Sequence, residues 1–343
     1  MKSRIQIVTI VFIALTGIIV GFGVAFAPPP GESGSSAPLE IALVSTPESL
    51  RVGQTWKIGV VVTNATDDEV TISRPRLGAE GVQLTISYRS TAASAEHEPD
   101  EVIDFQWIHP EDGTVEPVVL GAKKSQEFEL ISFPAVRAGH YEIDATFDWS
   151  TGEEKLKADT KEVTVIAGES GGETVEQLRM VFHTKSEDGQ TGALRFQFLP
   201  SDGLATAIHV AAVASSPRSP YVGSPIQGAG GESGDRLVFG APADGVPELP
   251  YSLYASTPKP ETAKEDNLAG LLVDADNPHT GRARFEVVIG TPPEGFLGTH
   301  LPFARLVGGQ RHANELFSVE RDEKGFLKPR VVVEKVEFEP KAE

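Results

Sequence analysis

The chain has 343 residues, of which 40% are hydrophobic, and its 30 basic and 49 acidic residues give a formal net charge of −19. This length suffices for about two domains, and the acidic balance argues against a nucleic-acid partner, because phosphates require a surface rich in lysine and arginine. Because the chain contains no cysteine, disulfides, thiolate metal sites and a cysteine nucleophile are excluded.

The first predicted element is an N-terminal membrane helix. After Lys2 and Arg4, no charged residue occurs up to Ala27, and an uncharged stretch of this length can span a bilayer. The positive flank predicts a cytoplasmic N-terminus, with the remaining chain on the periplasmic side of the cell inner membrane. The end of the stretch resembles a signal-peptidase site, but Pro28 follows it. We therefore expect an uncleaved anchor over residues 1–27, with a removed signal peptide as the alternative.

Short strands are predicted next, after a linker at residues 28–38 that is rich in Pro, Gly and Ser. Apolar and polar residues alternate in His140–Trp149 and in Trp56–Val62, which is typical of half-buried antiparallel strands. Several such strands predict a β-sandwich over residues 39–167, and a tyrosine after a glycine turn resembles an immunoglobulin-like domain. The glycosylation-type sequence beginning at Asn64 is interpreted as a turn.

A second linker is predicted at residues 168–173, before a C-terminal domain at 174–343. Apolar residues from Leu204 to Ala211 recur at helical spacing. Another helix is expected at 310–317, and a closing strand at about 330–338. The fold class is therefore mainly β.

The C-terminal domain contains the segments SPIQGAG and FLGTHLPFARLVGG. Both resemble segments of cyclophilins, the family of peptidyl-prolyl cis-trans isomerases. One is SPIQGAG, which is similar to the family's FxIQGG segment. The other is FLGTHLPFARLVGG, which is similar to WLDGKHxxFGxVxxG. The resemblance implies a closed antiparallel β-barrel with two capping helices and a peptide groove on its outside. The residues at matching spacing in the second segment are Gly298, His300, Phe303, Arg305, Val307 and Gly309.

The same resemblance implies a set of substrate-binding residues. Gln227 corresponds to a glutamine that hydrogen-bonds the substrate backbone, and His300 to a histidine at the rim of the proline pocket. Phe296 takes the place of a pocket leucine. The complete expected set is Gln227, Ala275, Phe285, Val287, Phe296 and His300.

The family's catalytic arginine is the point at which the sequence departs from the pattern. In the family this guanidinium donates to the prolyl nitrogen of the twisted peptide bond. Its expected position holds Ser219, which cannot replace a planar charged donor. Loss of one such donor typically costs about 2.7 to 4 kcal/mol of transition-state stabilisation. A slip of one residue would bring Arg218 into this role, so Arg218 is the candidate catalytic residue.

Three hypotheses for the function follow. The first is isomerisation of proline-containing peptides or exported protein segments, with activity that is weak or lost. The second is a non-catalytic peptide-binding module, and the third is a structural envelope module. None of the three needs a metal or a cofactor.

Overall fold

The computed structural model describes most of the chain after its N-terminal segment. The predicted membrane helix at 1–27 lies outside the described residues, as does all of the following linker except Pro38. No helix within the described ranges is long and apolar enough to cross a membrane. These ranges are 38–47, 49–77, 81–90, 99–106, 117–149, 155–170, 173–175, 177–199, 203–216, 219–229, 236–240, 252–254, 266–273 and 283–340.

The N-terminal half of the described chain is built from strands. They are β1 (Leu39–Thr46), β2 (Leu50–Arg51), β3 (Thr55–Asn64), β4 (Val70–Ser73), β5 (Val82–Arg89), β6 (Glu101–Gln106), β7 (Pro117–Leu120), β8 (Ser125–Pro134), β9 (Gly139–Asp148), β10 (Lys155–Lys157), β11 (Lys161–Ile166), β12 (Gly168–Ser170) and β13 (Glu173–Val175). One sheet has the order β1-β3-β8, and the strands β6-β5-β9-β11-β2 are neighbours in another.

These two sheets share a hydrophobic core. Alternation along β9 buries Tyr141, and the ring of Trp56 from β3 lies 5.0 Å from it. The Trp56 Nε1 donates to Ser45 Oγ at 2.9 Å, so its buried polar atom is satisfied. Tyr141 Oη donates to the carbonyl of Arg137 at 2.9 Å. The two strands predicted from alternation are thus confirmed as β3 and β9, whereas the immunoglobulin-like class stays a prediction.

The turn after β3 is organised by Asn64, which is fully buried. Its Nδ2 donates to the carbonyls of Asp68, Leu120 and Gly121 at 2.7, 3.0 and 3.1 Å. Its Oδ1 accepts from the backbone N–H of Thr66 at 2.9 Å and from the Thr66 hydroxyl at 2.7 Å. The expected turn is confirmed, and the amide that a glycan would need is occupied by backbone carbonyls.

The C-terminal half adds a second group of strands and three helical segments within the described residues. They are β14 (Leu178–Ser186), β15 (Thr191–Phe198), α1 (Leu204–Ser215), β16 (Gln227–Ala229), β17 (Arg236–Phe239), β18 (Ser252–Tyr254), β19 (Leu268–Leu272), β20 (Phe285–Val288), α2 (Phe296–Thr299), β21 (His300–Gly308), α3 (Gln310–Phe317), β22 (Glu320–Arg321), β23 (Leu327–Lys328) and β24 (Val331–Pro340). The expected helices and the closing strand are therefore confirmed as α1, α3 and β24.

Within the described residues, eight of these strands form one antiparallel sheet, in the order β16-β17-β20-β19-β21-β15-β14-β24. Its two ends are joined by main-chain hydrogen bonds. The N–H groups of Gly223 and Ile226 donate to the carbonyls of Val333 and Val331, each at 2.8 Å. Because β24 thus bonds to the chain just before β16, the sheet curls round and closes on itself.

The interior of this closed sheet is filled with aromatic rings. Phe285 is central, with its ring 4.9 to 5.6 Å from the rings of four neighbours. Edge-to-face pairs at these distances stabilise a core beyond the area they bury. The neighbours are Phe182, Tyr221, Phe239 and Phe303, all fully buried.

The two halves of the described chain are joined by direct contacts. The helix α1 packs against both β8 and β21, and nearly all of its residues are buried. Gln177 Nε2 donates to the Phe198 carbonyl at 2.7 Å, and the Leu178 N–H donates to the Val136 carbonyl at 3.0 Å. The strand β18 pairs antiparallel with β6 and so extends the N-terminal sheet. The described chain therefore belongs to one compact unit.

The segment at 168–173, which was expected to be a linker, contributes strand structure. The strands β12 and β13 form an antiparallel ladder in which Gly168 faces Val175 and Ser170 faces Glu173. The domain boundary drawn at this segment stays a prediction.

Candidate functional site

A row of residues crosses the closed sheet in register. Gln227 faces Val238, Val238 faces Glu286, Glu286 faces Gly270, and Gly270 faces Pro302. Partners in an antiparallel ladder project to the same face, and neighbouring strands lie about 4.8 Å apart. The side chain of Gln227 is therefore about 10 Å from that of Glu286, on the same face.

This row lies on the outer face of the sheet, which changes the expectation for two site residues. Phe285 and Val287 are both 0% exposed, and Phe285 stacks within the aromatic interior. Alternate residues of a strand point to opposite faces. Phe285 and Val287 therefore fill the barrel interior rather than lining an outer pocket, and Glu286 occupies the outer face between them.

His300 stands on the same outer face and is almost completely buried. Its Nδ1 lies 3.1 Å from the Phe296 carbonyl and 2.9 Å from Thr299 Oγ1. Its ring stacks on the Phe296 ring with centroids 4.2 Å apart. Gly270 makes room for this pair, because a Cβ there would lie 2.8 Å from His300 Cβ and 3.0 Å from Phe296 Cζ.

Glu286 gathers three cationic or potentially cationic groups around its carboxylate. Its Oε2 lies 3.0 Å from Arg236 Nη1 and 3.3 Å from His300 Nε2. Its Oε1 lies 3.5 Å from Arg284 Nη2. The His300 contact has ion-pair distance but not the alignment of a hydrogen bond. The side chains of Glu286 and His300 are 7% and 2% exposed, so most of this cluster is shielded from water.

The electrostatics of the cluster are dominated by opposing effects on Glu286. Burial of this side chain raises its pKa, but the neighbouring His300 and Arg236 outweigh burial, so the pKa of the carboxyl lies below its usual value. Glu286 is therefore ionised at neutral pH. The position holds a buried negative charge with surrounding donors.

The Phe296 ring covers His300 on the outer face. It is 3% exposed and belongs to a small apolar cluster with Leu199, Leu268 and Val288. The short helix α2 begins after Gly295, whose φ of 83° is a left-handed conformation that suits glycine. The predicted pocket residue Phe296 and rim residue His300 are thus brought together, but as packed partners rather than as the walls of an open hollow.

The remaining expected site residues are more widely separated or lie outside the described chain. Gln227 is partly exposed at the start of β16. Ser219, at the position where the sequence resemblance expects an arginine, accepts from the Tyr221 N–H at 3.4 Å within a turn. Arg218 and Ala275 lie outside the described residues. The structure therefore brings Phe296 and His300 together and leaves the role of Arg218 a prediction.

Sequence reasoning missed Glu286, Arg236 and Arg284. The signal for Glu286 was present, because an apolar alternation at Phe285 and Val287 places the residue between them on the opposite face. Arg284 stands two residues before Glu286, so the period of two puts it on the same face. Arg236 carried no motif, since its contact with Glu286 depends on the pairing of β17 with β20.

Solved cyclophilin structures share a similar arrangement with part of this chain. A cyclophilin-type peptidyl-prolyl cis-trans isomerase from Cryptosporidium parvum, in the presence of the dipeptide Ala-Pro, is 15% identical, with a TM-score of 0.39 over 48% of this chain and 99% of that chain. The Mimivirus cyclophilin is 12% identical, with a TM-score of 0.35 over 48% of this chain and 90% of that chain. No family model matches the sequence. No curated protein matches it either.

Proposed function

We propose that this protein is a divergent, membrane-anchored member of the cyclophilin-type peptidyl-prolyl cis-trans isomerase family. In this proposal its isomerase activity is weak or lost, and its barrel binds peptide segments of exported proteins without turning over their proline bonds. The observation that carries the proposal is the buried Glu286–His300 pair beneath Phe296, at the face where the sequence resemblance puts the proline pocket.

Two physical reasons support weak or lost catalysis. A proline ring gains free energy by entering a dry apolar hollow, whereas here it would have to displace Phe296 and lie against the charged Glu286. Isomerisation also needs a donor aimed at the twisted peptide nitrogen, and the corresponding position holds Ser219 in a turn. Without that donor the barrier of about 18 to 20 kcal/mol is lowered little.

The test of this proposal is a protease-coupled isomerisation assay on the full chain. We expect no rate above background with Ala-Pro and Leu-Pro substrates at micromolar protein. A rate above background that falls tenfold or more in Gln227→Ala would overturn the loss of activity. If the full chain does show a rate, the same assay on Arg218→Ala decides the remaining candidate donor, because an unchanged rate then removes Arg218 from the mechanism.

The location is a separate part of the proposal and has its own test. It is motivated by the uncharged stretch that ends at Ala27 and by the basic residues before it. Carbonate extraction of cell membranes should leave the full chain in the pellet. Protease added to cells should digest the chain only after the outer membrane has been permeabilised. Release into the carbonate supernatant would contradict the anchor.

A structural role is the second candidate, and one observation favours it. The helix α1 is buried between the barrel and β8 of the N-terminal half, so the barrel surface is partly used for internal packing. A measurement of peptide binding distinguishes the two candidate functions. A chain that binds no peptide and still catalyses nothing would favour the structural module.

A further inference from the structure

The rim of the candidate site is positively charged on a strongly acidic protein. Among the described residues of β17, β19, β20 and β21, together with the residue just before β20, there are three arginines and one glutamate. The arginines are Arg236, Arg284 and Arg305. The whole chain has a formal net charge of −19. On these strands the described arginines thus outnumber the described carboxylates, in contrast to the balance of the whole chain.

The geometry leaves one guanidinium available to a further carboxylate. Arg236 is 20% exposed and donates to Glu286 Oε2 at 3.0 Å. Arg284 is 44% exposed and meets the same carboxylate only through Nη2, at 3.5 Å. A guanidinium has five N–H donors in a planar fork that matches a carboxylate in bidentate fashion. Because Arg284 contacts Glu286 through one nitrogen only and its side chain is 44% exposed, part of this side chain is accessible to a ligand from solvent.

We propose that this rim binds a carboxylate side chain of an extended acidic peptide, with Arg284 as the principal contact and Arg236 beside it. The inference rests on the proposed peptide-binding function and names the chemistry of its ligand. Gln227 lies on the same face two strands from Glu286, so a peptide crossing the strands meets both a backbone hydrogen-bonding group and the arginines. The ligand is thus selected by its negative charge rather than by proline.

Arg284 has a matched control elsewhere on the chain. Arg311 on α3 is 93% exposed and pairs with Glu315 at 3.0 Å. Replacing either arginine with glutamine removes the same charge from a solvent-accessible side chain. The two variants therefore have equal net charge and differ only in whether the rim is altered. Arg284→Lys is a second variant, since it keeps the charge but lacks the planar fork.

The experiment is fluorescence anisotropy with the full chain and three labelled ten-residue peptides. One peptide alternates Asp or Glu with small residues and contains no proline. The second has Asn and Gln at the same positions, and the third is neutral and contains proline. We expect the acidic peptide to bind at least tenfold more tightly than the neutral pair, and more weakly as salt is raised. Arg284→Gln should weaken it about tenfold, Arg284→Lys less, and Arg311→Gln not measurably.

Each alternative outcome has a defined meaning. If the neutral proline peptide binds as tightly as the acidic one and Arg284→Gln changes neither, the inference is overturned while the proposed peptide-binding function stands. If no peptide binds, both are overturned together. If inorganic phosphate or succinate displaces the acidic peptide at equal concentration, the rim binds anions in general, and a peptide ligand is excluded. Melting temperatures of the variants establish that each remains folded.

Discussion

Replacement of Glu286 by glutamine is the most direct perturbation of the candidate site. The substitution keeps the size of the side chain and removes the charge around which Arg236, Arg284 and His300 gather. A buried ion pair that loses one partner leaves the other partner uncompensated. The variant therefore measures how far the site depends on this carboxylate.

The expected loss follows from the exposure of the three partners. Breaking a fully buried pair costs about 3 to 5 kcal/mol, whereas an exposed pair contributes about 0 to 1 kcal/mol. Here the Arg284 side chain is 44% exposed and can regain water, whereas the side chains of Arg236 and His300 are 20% and 2% exposed. We therefore expect Glu286→Gln to lower the free energy of unfolding by about 2 to 3 kcal/mol at pH 7.

The measurement is urea unfolding of the full chain, followed by circular dichroism between pH 7 and pH 3. The pKa of Glu286 is lowered in the folded state, so its stabilising contribution is present above the unfolded-state pKa, about 4.3, and is lost as the pH falls through the folded-state pKa. The gap between the protein and its variant should hold from pH 7 to pH 5 and then close. Glu129→Gln, which breaks the exposed contact with Lys57, is the control and should cause no measurable loss.

Two results would refute the reasoning. If Glu286→Gln is as stable as the unaltered chain at pH 7, the ion pairs of this carboxylate do not contribute to the free energy of unfolding. If the gap does not narrow as the pH falls from 5 to 3, the loss comes from packing rather than from charge.

Three further predictions concern other parts of the fold. Burial lowers the pKa of His312, against the opposing effect of Glu315, so the free energy of unfolding should fall as the pH drops below about 6.5. His312→Gln should reduce this dependence on pH in urea unfolding, and an unchanged dependence would show that other groups cause it. Asn64→Ala should lower the melting temperature by several degrees, because it leaves buried backbone carbonyls without a hydrogen-bond donor and costs about 1 to 3 kcal/mol. A decrease in melting temperature smaller than the one caused by replacing an exposed threonine with alanine would contradict this. A fragment that begins at residue 174 should bind a hydrophobic dye more strongly than the full chain, since it uncovers α1; equal binding would show that the helix needs no cover.

The sequence predicts elements well where a repeating pattern carries the signal. Strict alternation located β9, and the spacing of apolar residues located α1. The contacts between the two halves were not predicted, because they join distant segments. The pairing of β18 with β6 depends on neighbours far apart in sequence, and the ladder of β12 with β13 arises in a glycine-rich stretch that composition alone marks as a linker.

The candidate site shows where a family resemblance and a strand period give different answers. The resemblance put Phe285 and Val287 on the pocket wall, and the period of two puts them in the core once one of them is known to be interior. Sequence alone cannot tell which face is interior when both alternate sets include buried residues. Which face of β20 is interior becomes clear only from the structure, in which Arg236 and His300 contact Glu286 from other strands.

The same alternation separates the residues that form the core from those that form the outer face. The core depends on inward residues such as Phe285 and Phe303, whose rings lie 5.4 Å apart. The outer residues contribute little to that interior, so a glutamate can stand at position 286 once Arg236 from β17 and Arg284 just before its own strand compensate its charge. The core and the candidate site are therefore formed by opposite faces of one strand. A variant such as Phe296→Ala, on the outer face, can alter the candidate site without disturbing the aromatic core, because Phe296 packs in a separate apolar cluster.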